Sequence, residues 1–593
     1  MPKRWRILPH QPERIEVLRR RAGIPAVLAE LLVCRGLDDP EQARQFLDPR
    51  LADLRPPEAL PGCAAAAERI HAAIQAGKRI AVYGDYDVDG ITGTAVLVAC
   101  IRLLGGQVRY YVPHRIDEGY GLHEDAIRRL AAQGIEVLVT VDCGIASAQE
   151  AAVASECGIE LVITDHHEPG PRLPQAAAIV HPRLPGRPYP FGGLSGSGVA
   201  LKLAWALARL ASGQRRVSPA MRTLLVQAVG LAALGTVADV VPLVDENRIL
   251  VAEGLKRLRE AAGVGLSSLL EIARISKAEP DSEDVAYLLG PRLNAAGRLG
   301  QAQLAVELLL TDKRDRALEL AQYVDKLNAS RQTLERGIYQ KALELAEKEF
   351  DPQRDAVLVL GHPGWHVGVI GIVAGRLAEK FQRPAILIAW DPLGTKPGVG
   401  SGRSVPGFHL HAALEACAEY LLRHGGHAAA AGLTIAESQF PAFRAAILEY
   451  AAEHANFMHQ PAELVIDTET PLSALTLAVV EQMERMAPFG QGNPRPLLCT
   501  TGVRLARPPR TIGNGGRHLA MELVQHEVCL RAIAFGASDW AHPLTQSCQP
   551  FDVAYRPMIN VFAGRRSVEL RLVDWRPGSV AAASRQGAAP QRP

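Results

Sequence analysis

No run in this sequence is long and apolar enough, and free enough of charge and helix breakers, to be read as a membrane span. The nearest approach, Leu224 to Val244, is broken by Gly230, Gly235, Asp239 and Pro242. A carboxylate near mid-bilayer is costly, so a buried core segment is expected there instead. Cysteine is sparse as well. The nine (Cys34, Cys63, Cys100, Cys143, Cys157, Cys417, Cys499, Cys529, Cys548) are scattered, with no C-x-x-C pair among them. That excludes an obvious structural zinc site or disulfide framework and fits a reducing cytosol. The N-terminal residues Met1-Pro2-Lys3-Arg4-Trp5 begin no apolar run that could serve as a signal peptide, which adds to the expectation of a cytoplasmic protein. Excess charge of one sign is also missing. A net charge of +2 over 593 residues says little about partners, so any nucleic-acid surface must be local. There is no GxxxxGK[ST]. The run Gly192 to Gly198 precedes a helix without following a βαβ start, and is expected to be a helix-entry loop rather than a nucleoside triphosphate site.

What is present is enough for several cores. The chain's 593 residues imply three or four domains. Residues 1–75 read as helical. From about 76 to 185 apolar strands alternate with helices: Arg79–Gly84, Val108–Pro113, Glu136–Val141, Glu160–Thr164 and Ala177–Val180, with helices at Thr92–Leu104, Glu124–Gln133 and Ala148–Cys157. Such alternation implies a parallel sheet covered on both faces. Residues 190–300 look mainly helical. The charged stretch Arg314–Phe350, with apolar Leu318, Ala321, Leu327, Leu334 and Tyr339, suits either one long helix joining two lobes or two ordinary packed helices. A second α/β unit spans about 355–455, with strands at Asp355–Leu360 and Ala385–Ala389 and a helix at Val369–Lys380. After Gln460 short β-type runs with Pro and Gly between them (Glu463–Asp467, Gly502–Ala506, Leu519–Glu522, Leu530–Ala534, Phe551–Tyr555, Val568–Val573) suggest a small barrel or sandwich. The Ala/Gly/Pro/Ser/Gln-rich tail 577–593 is expected to be disordered.

The strongest signal is where carboxylates and histidines fall. Gly84-Asp85-Tyr86-Asp87-Val88-Asp89-Gly90 follows the first strand directly, Asp142 ends the strand before it, and Asp165-His166-His167 ends the next. In an open parallel sheet ligands collect beyond the carboxyl ends of the strands, so three strands deliver Asp and His to one edge. Asp239, alone in an apolar run, is a plausible fourth contributor. Hard oxygen donors with a few imidazoles suit Mn²⁺ or Mg²⁺. So many carboxylates cannot sit together ionised without cations between them, and two ions would use them all. The Asp85-x-Asp87-x-Asp89-Gly90 string opens like an EF-hand loop, but its twelfth position is Val96 and a strand precedes it. Singly, Asp142 reads as a helix N-cap and each histidine as a hydrogen-bonded core residue. Jointly, at three strand ends, they read as a metal centre.

These residues carry a resemblance. Asp165-His166-His167 resembles the triplet that names the DHH phosphoesterase family, and Gly84–Gly90, Thr140–Gly144 and Gly235–Asp239 resemble its other metal motifs. Within it the chain is most similar to the RecJ-type single-strand-specific exonucleases over about residues 20–576. Further matching stretches are Val112–Arg115 with Glu118–Gly121, Pro291–Arg298, Ser401–Ser404, Gly425–His427 and Pro488–Pro494. The resemblance implies a helical region 1–75, a parallel-sheet DHH catalytic domain 76–300, a connecting helical segment 301–352, an α/β DHH-associated domain 353–458 and an OB-fold barrel 462–576. It implies Asp87, Asp89, Asp142, His166 and Asp239 as ligands of two Mn²⁺ or Mg²⁺ ions, with Asp142 bridging. It implies His167, Asp142 and Asp165 as the catalytic set, with Asp85 and Asp165 outside the ligand shell. Arg115, Arg298, Ser401, Arg403, Gly425, Gly426 and His427 would hold phosphate or DNA. Some members of the wider family have His where this chain has Tyr83. A phenol is a poor ligand, so water is expected at that position and one metal less tightly held.

The activity implied is two-metal hydrolysis of single-stranded DNA, 5′→3′, to 5′-mononucleotides in repair and recombination. The polarity comes from the resemblance alone. A monomer is expected, with a single-strand-binding protein or a helicase as conceivable partners. The last 76 residues before the tail support a polymer substrate: 501–576 contain ten Arg, no Lys and six acidic residues, with Phe535, Tyr555, Phe562 and Trp575 interleaved. Arginine with aromatics on a barrel suits backbone tracking and base stacking, one or two of the four at most being free to stack. Alternatives are a phosphodiesterase for very short oligonucleotides or cyclic dinucleotides, which would resemble residues 75–435 and normally lack the barrel; an inorganic pyrophosphatase, which would have no use for it; and an inactive scaffold, which would lack ligands that are all present here.

Overall fold

The computed structural model describes residues 3–213, 216–277, 280–351, 353–455, 463–513, 515–546 and 549–578. The chain forms two compact units, one of residues 51–460 and one of 1–50 together with 461–593. The expected disordered tail lies, from residue 579, outside the described residues.

In the first unit a five-stranded parallel sheet has the order Gln107–Tyr111, Arg79–Gly84, Val137–Val141, Glu160–Thr164, Ala178–Val180. Its first strand shows why the apolar runs are continuous. Side chains alternate across a strand, so Ile80 and Val82 join one core with the helices Cys63–Gln75, Val88–Leu103 and Gly196–Ser212, while Ala81 and Tyr83 join another with Glu124–Ala132 and Ala148–Glu156. Chain order reverses at this strand: the next strand lies on one side of it and all later ones on the other. The switch point is therefore between the ends of Arg79–Gly84 and Val137–Val141, where an open sheet of this kind forms its crevice.

The apolar run near residue 230 is the helix Pro219–Ala238, long and apolar enough to cross a membrane by length and composition. Its Ala228, Ala232, Ala233 and Leu234 are buried in the domain core, as expected of a core segment. The charged stretch after residue 313 is a single helix, Arg314–Glu349. Ala317, Leu320, Ala321 and Val324 enter the core of the helical part, and Ile338, Ala342 and Ala346 enter the core under a second sheet. One 36-residue helix, about 54 Å long, thus seats its ends in two cores, and the two-helix alternative falls away. The second sheet runs Arg423–Gly426, Ala430–Ile435, Gly398–Arg403, Ala385–Ala389, Leu358–His362, only its last pair being parallel.

In the second unit five strands pair in a ring: Leu498–Leu505, Phe551–Phe562, Arg565–Pro577, Val528–Ala534 and His518–Gln525, the last pairing back to the first. Every C-terminal β-run expected from the sequence falls on a strand. Of the four aromatics, Tyr555 is fully buried and Trp575 packs on Phe551, while Phe535 and Phe562 are exposed. The expectation of one helical region over 1–75 needs correction. Residues 1–50 belong with the barrel, and Cys63–Gln75 with the parallel sheet. Arg4–Ile7 is a strand, pairing in parallel with Glu463–Ile466, and the Trp5 indole donates to Asp574 Oδ2 at 2.8 Å. Leu18, Leu28, Leu31 and Leu32 are buried with Met483, Leu523 and Phe551. Three helices of 8–11 residues bury too little alone, and a barrel flank completes their core.

Candidate metal centre

The first loop is built by capping. Asp87 precedes the helix Val88–Leu103, and its Oδ1 accepts the amides of Asp89 and Gly90 at 3.0 and 3.1 Å, the usual work of an N-cap. Asp89, one residue into that helix, is itself held by another helix start. Its carboxylate accepts the amide of Gly196 at 2.5 Å and of Ser197 at 3.0 Å. The Gly-rich run is thus a helix-entry loop, with Ser195 capping through Gly198, and it also fixes a site carboxylate, which the sequence did not reveal. Close approach explains two glycines: a Cβ on Gly196 would meet Asp142 Oδ1 at 2.6 Å, and one on Gly235 would meet Asp89 Oδ1 at 2.5 Å.

Asp142 leaves its strand in the left-handed region, φ 64°, and is 1 % exposed. Three donor sets meet around it, each with ligand atoms within 4.8 Å of one another: Asp85/Asp87/Asp142, Asp142/His166/His167 and Asp89/His166/Asp239. His166 Nε2 stands 3.0 Å from Asp142 Oδ1, 3.5 Å from Asp239 Oδ2 and 3.9 Å from Asp89 Oδ2. Burial, then His167, pushes the His166 pKa down to about 3, so the ring is neutral and these distances are not ion pairs. The carboxylates respond in the opposite direction. Burial and then Asp89 and Asp87 raise Asp239 to about 9; burial and Asp87 raise Asp89 to about 6. Burial, then the neighbouring aspartates, drives Asp142 well above the carboxylate range, and burial with Asp87 does the same to Asp85.

Asp85 Oδ1, Asp142 Oδ1 and His166 Nε2 are buried without a hydrogen-bond partner, although buried polar atoms are nearly always satisfied. Divalent cations fit this donor set: hard oxygens, a neutral imidazole, mutual repulsion and orphaned lone pairs. Asp85, expected outside the ligand shell, has a free buried oxygen and sits in a donor set. Asp165 is different, because its oxygens are already used. They accept the amides of His166 (2.7 Å), His167 (3.1 Å) and Ile145 (2.9 Å) and the His167 ring nitrogen Nδ1 (2.8 Å). Burial pushes Asp165 up, but these bonds hold it at about 2; His167, pulled down by burial, is raised overall by Asp165. The Tyr83 phenol donates to Gly121 O at 3.0 Å, so its place is in the core rather than in a ligand position.

Beside the carboxylates lies an arginine group. Arg298 is depressed to about 9 by burial, then by Arg115, Arg331 and Arg403, with Asp87 acting the other way. Arg115 lies over the Tyr86 ring at 4.6 Å, and Arg403 donates to Ser401 Oγ at 3.1 Å. Arg298 donates to Gly368 O at 3.2 Å, spanning from the helix Gly290–Arg298 to the start of Val367–Phe381. In the second sheet Gly425, Gly432 and Ser401 stand in register on adjacent strands, so a strip of bare backbone borders Ser401. Gly426, at φ 136°, ends its strand, and His427 opens the hairpin turn, its amide donating to Ala430 O at 2.8 Å. Arg331 and Gly432 were not singled out in the sequence: one lies among the many charges of the long helix, the other in an ordinary strand.

Comparison with known proteins agrees with this geometry. Residues 79–236 match the family model of the DHH family N-terminal domain, 354–453 the DHHA1 domain and 466–574 the RecJ OB domain. The chain is 37 % identical to the single-stranded-DNA-specific exonuclease RecJ of Bacillus subtilis, over 96 % of this chain and 70 % of that one. Its fold matches the crystal structure of RecJ in complex with Mn²⁺ from Thermus thermophilus with a TM-score of 0.82 and 34 % identity, covering 99 % and 81 % of the two chains. The Mg²⁺ complex from the same organism matches with a TM-score of 0.75 and 32 % identity, covering 97 % and 79 %. Sequence, fold and donor set agree, and the chain belongs to the RecJ family of DHH phosphoesterases.

Proposed function

We propose that this protein is a metal-dependent exonuclease that degrades single-stranded DNA 5′→3′ to 5′-mononucleotides by two-metal phosphodiester hydrolysis, in the cytoplasm, during DNA repair and recombination. The observation that carries the reading is three donor sets linked through Asp142 and His166, each of which belongs to two of them, beside the buried Arg298 with Arg115 and Arg403. The RecJ relatives named above are single-stranded-DNA-specific exonucleases, which supports the substrate.

Asp87, Asp89, Asp142, His166 and Asp239, with Asp85, would hold the two cations. Bound there, Mn²⁺ or Mg²⁺ supplies charge neutralisation at the phosphate and makes an attacking water more acidic. The protein's own part is positioning. Asp165 fixes the His167 ring through Nδ1 and favours its protonated form, so His167 can donate to a phosphate oxygen. Arg115, kept in place by Tyr86, and Arg403 with Ser401 can hold phosphate oxygens by charge-assisted hydrogen bonds. Arg298 adds a cation that burial has already desolvated, and the Gly425–Gly432 strip lets a nucleic-acid backbone approach Ser401. In the second unit, exposed Phe535 beside Arg571 offers a base a stacking surface.

The test is digestion of 5′-labelled and 3′-labelled single strands, with duplex controls, in Mn²⁺ or Mg²⁺. The 5′ label should appear at once as mononucleotide while the 3′ label stays on shortening strands, and blunt duplex should persist. Early release of the 3′ label would reverse the polarity. Absence of cleavage with either cation would reject the enzyme.

A further inference from the structure

The last strand of the catalytic sheet contributes none of the proposed ligands, yet the segment after it touches the metal-site histidines twice. The strand Ala178–Val180 ends at His181, whose side chain is fully buried. Its Nδ1 accepts the amide N–H of Arg183 at 3.0 Å. An amide N–H can only donate, so the neutral ring carries its proton on Nε2. That Nε2–H donates to the carbonyl oxygen of His167 at 2.8 Å. The Arg183 guanidinium donates to the carbonyl oxygen of His166 at 2.5 Å, and its other arm pairs with Glu168. The anchor is itself tied down, since the His181 amide donates to Pro61 O at 3.3 Å.

The two carbonyls belong to consecutive residues that leave the strand Glu160–Thr164 with their amides turned to Asp165. The backbone of the histidine pair is therefore held from both sides, its N–H groups by Asp165 and its C=O groups by His181 and Arg183. We propose that His181, braced by Arg183, is a positioning residue for the metal centre. It sets the backbone from which His166 Nε2 reaches toward Asp142 and Asp239. This rests on the two-cation reading of the site. Partners that orient a metal ligand are commonly worth about 10–100-fold in metal affinity.

Two substitutions in the full chain separate positioning from bulk stability. His181→Leu fills similar space without a donor. His181→Gln can place an amide N–H near the lost Nε2 and donate to the His167 carbonyl. Mn²⁺ affinity is read by calorimetry on metal-free protein, with thermal unfolding in parallel and kcat followed against Mn²⁺ concentration. His181→Leu should weaken Mn²⁺ binding by about 10–100-fold, with kcat recovering at saturating Mn²⁺, and His181→Gln should restore most of the affinity. Arg183→Ala, at a side chain 40 % exposed, should fold normally and lose affinity in the same direction. Parental Mn²⁺ affinity in His181→Leu would overturn the inference. So would equal losses in the Leu and Gln variants that track their unfolding temperatures. If His181→Leu does not fold, parental affinity in Arg183→Ala together with a loss in His181→Gln overturns it. Calorimetry needs no strand cleavage, so this result stands apart from the success or failure of the nuclease reading.

Discussion

The parallel-sheet unit and the barrel unit handle charge in opposite ways. At the ends of the sheet strands, Asp85, Asp89 and Asp142 are at most 4 % exposed and crowd one another, and among the described residues no Lys or Arg side chain is paired with them. On the barrel, Arg507 and Arg566 are about half exposed and pair with partly exposed acids, Glu522 and Glu481. Buried like charges are stable only when protonated or when cations intervene; exposed pairs in water are individually worth ~1 kcal/mol or less. The first arrangement is a demand for a ligand. The second is a soluble surface whose charges act together and weakly, as a surface that tracks a polyanion does.

That contrast ranks the consequences of breaking each side. Asp142→Ala removes the carboxylate common to two donor sets, so turnover should fall by about 10³-fold or more while single-strand binding persists. Near-normal steady-state activity in a folded variant would end the contrast. Arg403→Ala should weaken use of 5′-phosphorylated strands relative to 5′-hydroxyl ones by about tenfold to a hundredfold, a charge-assisted contact of ~1.5–3 kcal/mol. An unchanged preference in paired kinetics would place end recognition elsewhere. Phe535→Ala should cost ~1–3 kcal/mol in affinity for long strands and little for oligonucleotides that reach only the cleft, measured by titration at physiological salt.

Metal removal should show as a pH-dependent stability. Asp239 and Asp89 have folded-state pKa values raised to about 9 and about 6, so the folded metal-free protein holds protons the unfolded chain releases. Stability from this source is therefore full below pH ~4 and is lost as pH rises through those values. Cations take the protons' place, so Mn²⁺ should raise the unfolding temperature more at pH 8 than at pH 5. Equal increments would mean the aspartates do not titrate with the metal. The smallest effect is expected at the rim, where Arg507→Ala should change stability by less than ~1 kcal/mol in denaturant unfolding.

Most of the sheet unit was legible because the signals are local. Strand apolarity and the carboxylates just past each strand end lie within a few residues of one another. The apolar residues read along Arg314–Phe350, by contrast, left one or two helices open, and of them only Ala321 is fully buried while Leu334 is exposed. What escaped is set by distance. Arg4–Ile7 does alternate charged and apolar residues, but four residues are too short a run to read, and the strand pairs with Glu463–Ile466, more than 450 residues away in sequence. His181 donates from its side chain to a main-chain carbonyl 14 residues earlier, and Ser197 holds Asp89 through its amide, so the acceptor in the first case and the donor in the second leave no mark on residue type. Asp85 looked like one more carboxylate of the motif until its Oδ1 proved buried without a partner. A cut at residue 462 that keeps 1–50 would also strip Leu18, Leu28 and Leu32 of the barrel residues they pack with, so a clean separation of the units falls at residues 51–460.

We propose that the buried carboxylate cluster is a two-cation centre. Calorimetric titration of metal-free protein with Mn²⁺ at pH 8 tests it most directly, run on the parent and on Asp142→Ala with single-strand cleavage followed at each added equivalent. Two ions per chain are predicted, with cleavage appearing as the second binds and at least one ion lost in the variant. Full cleavage at one equivalent, or an unchanged stoichiometry in Asp142→Ala, would contradict it.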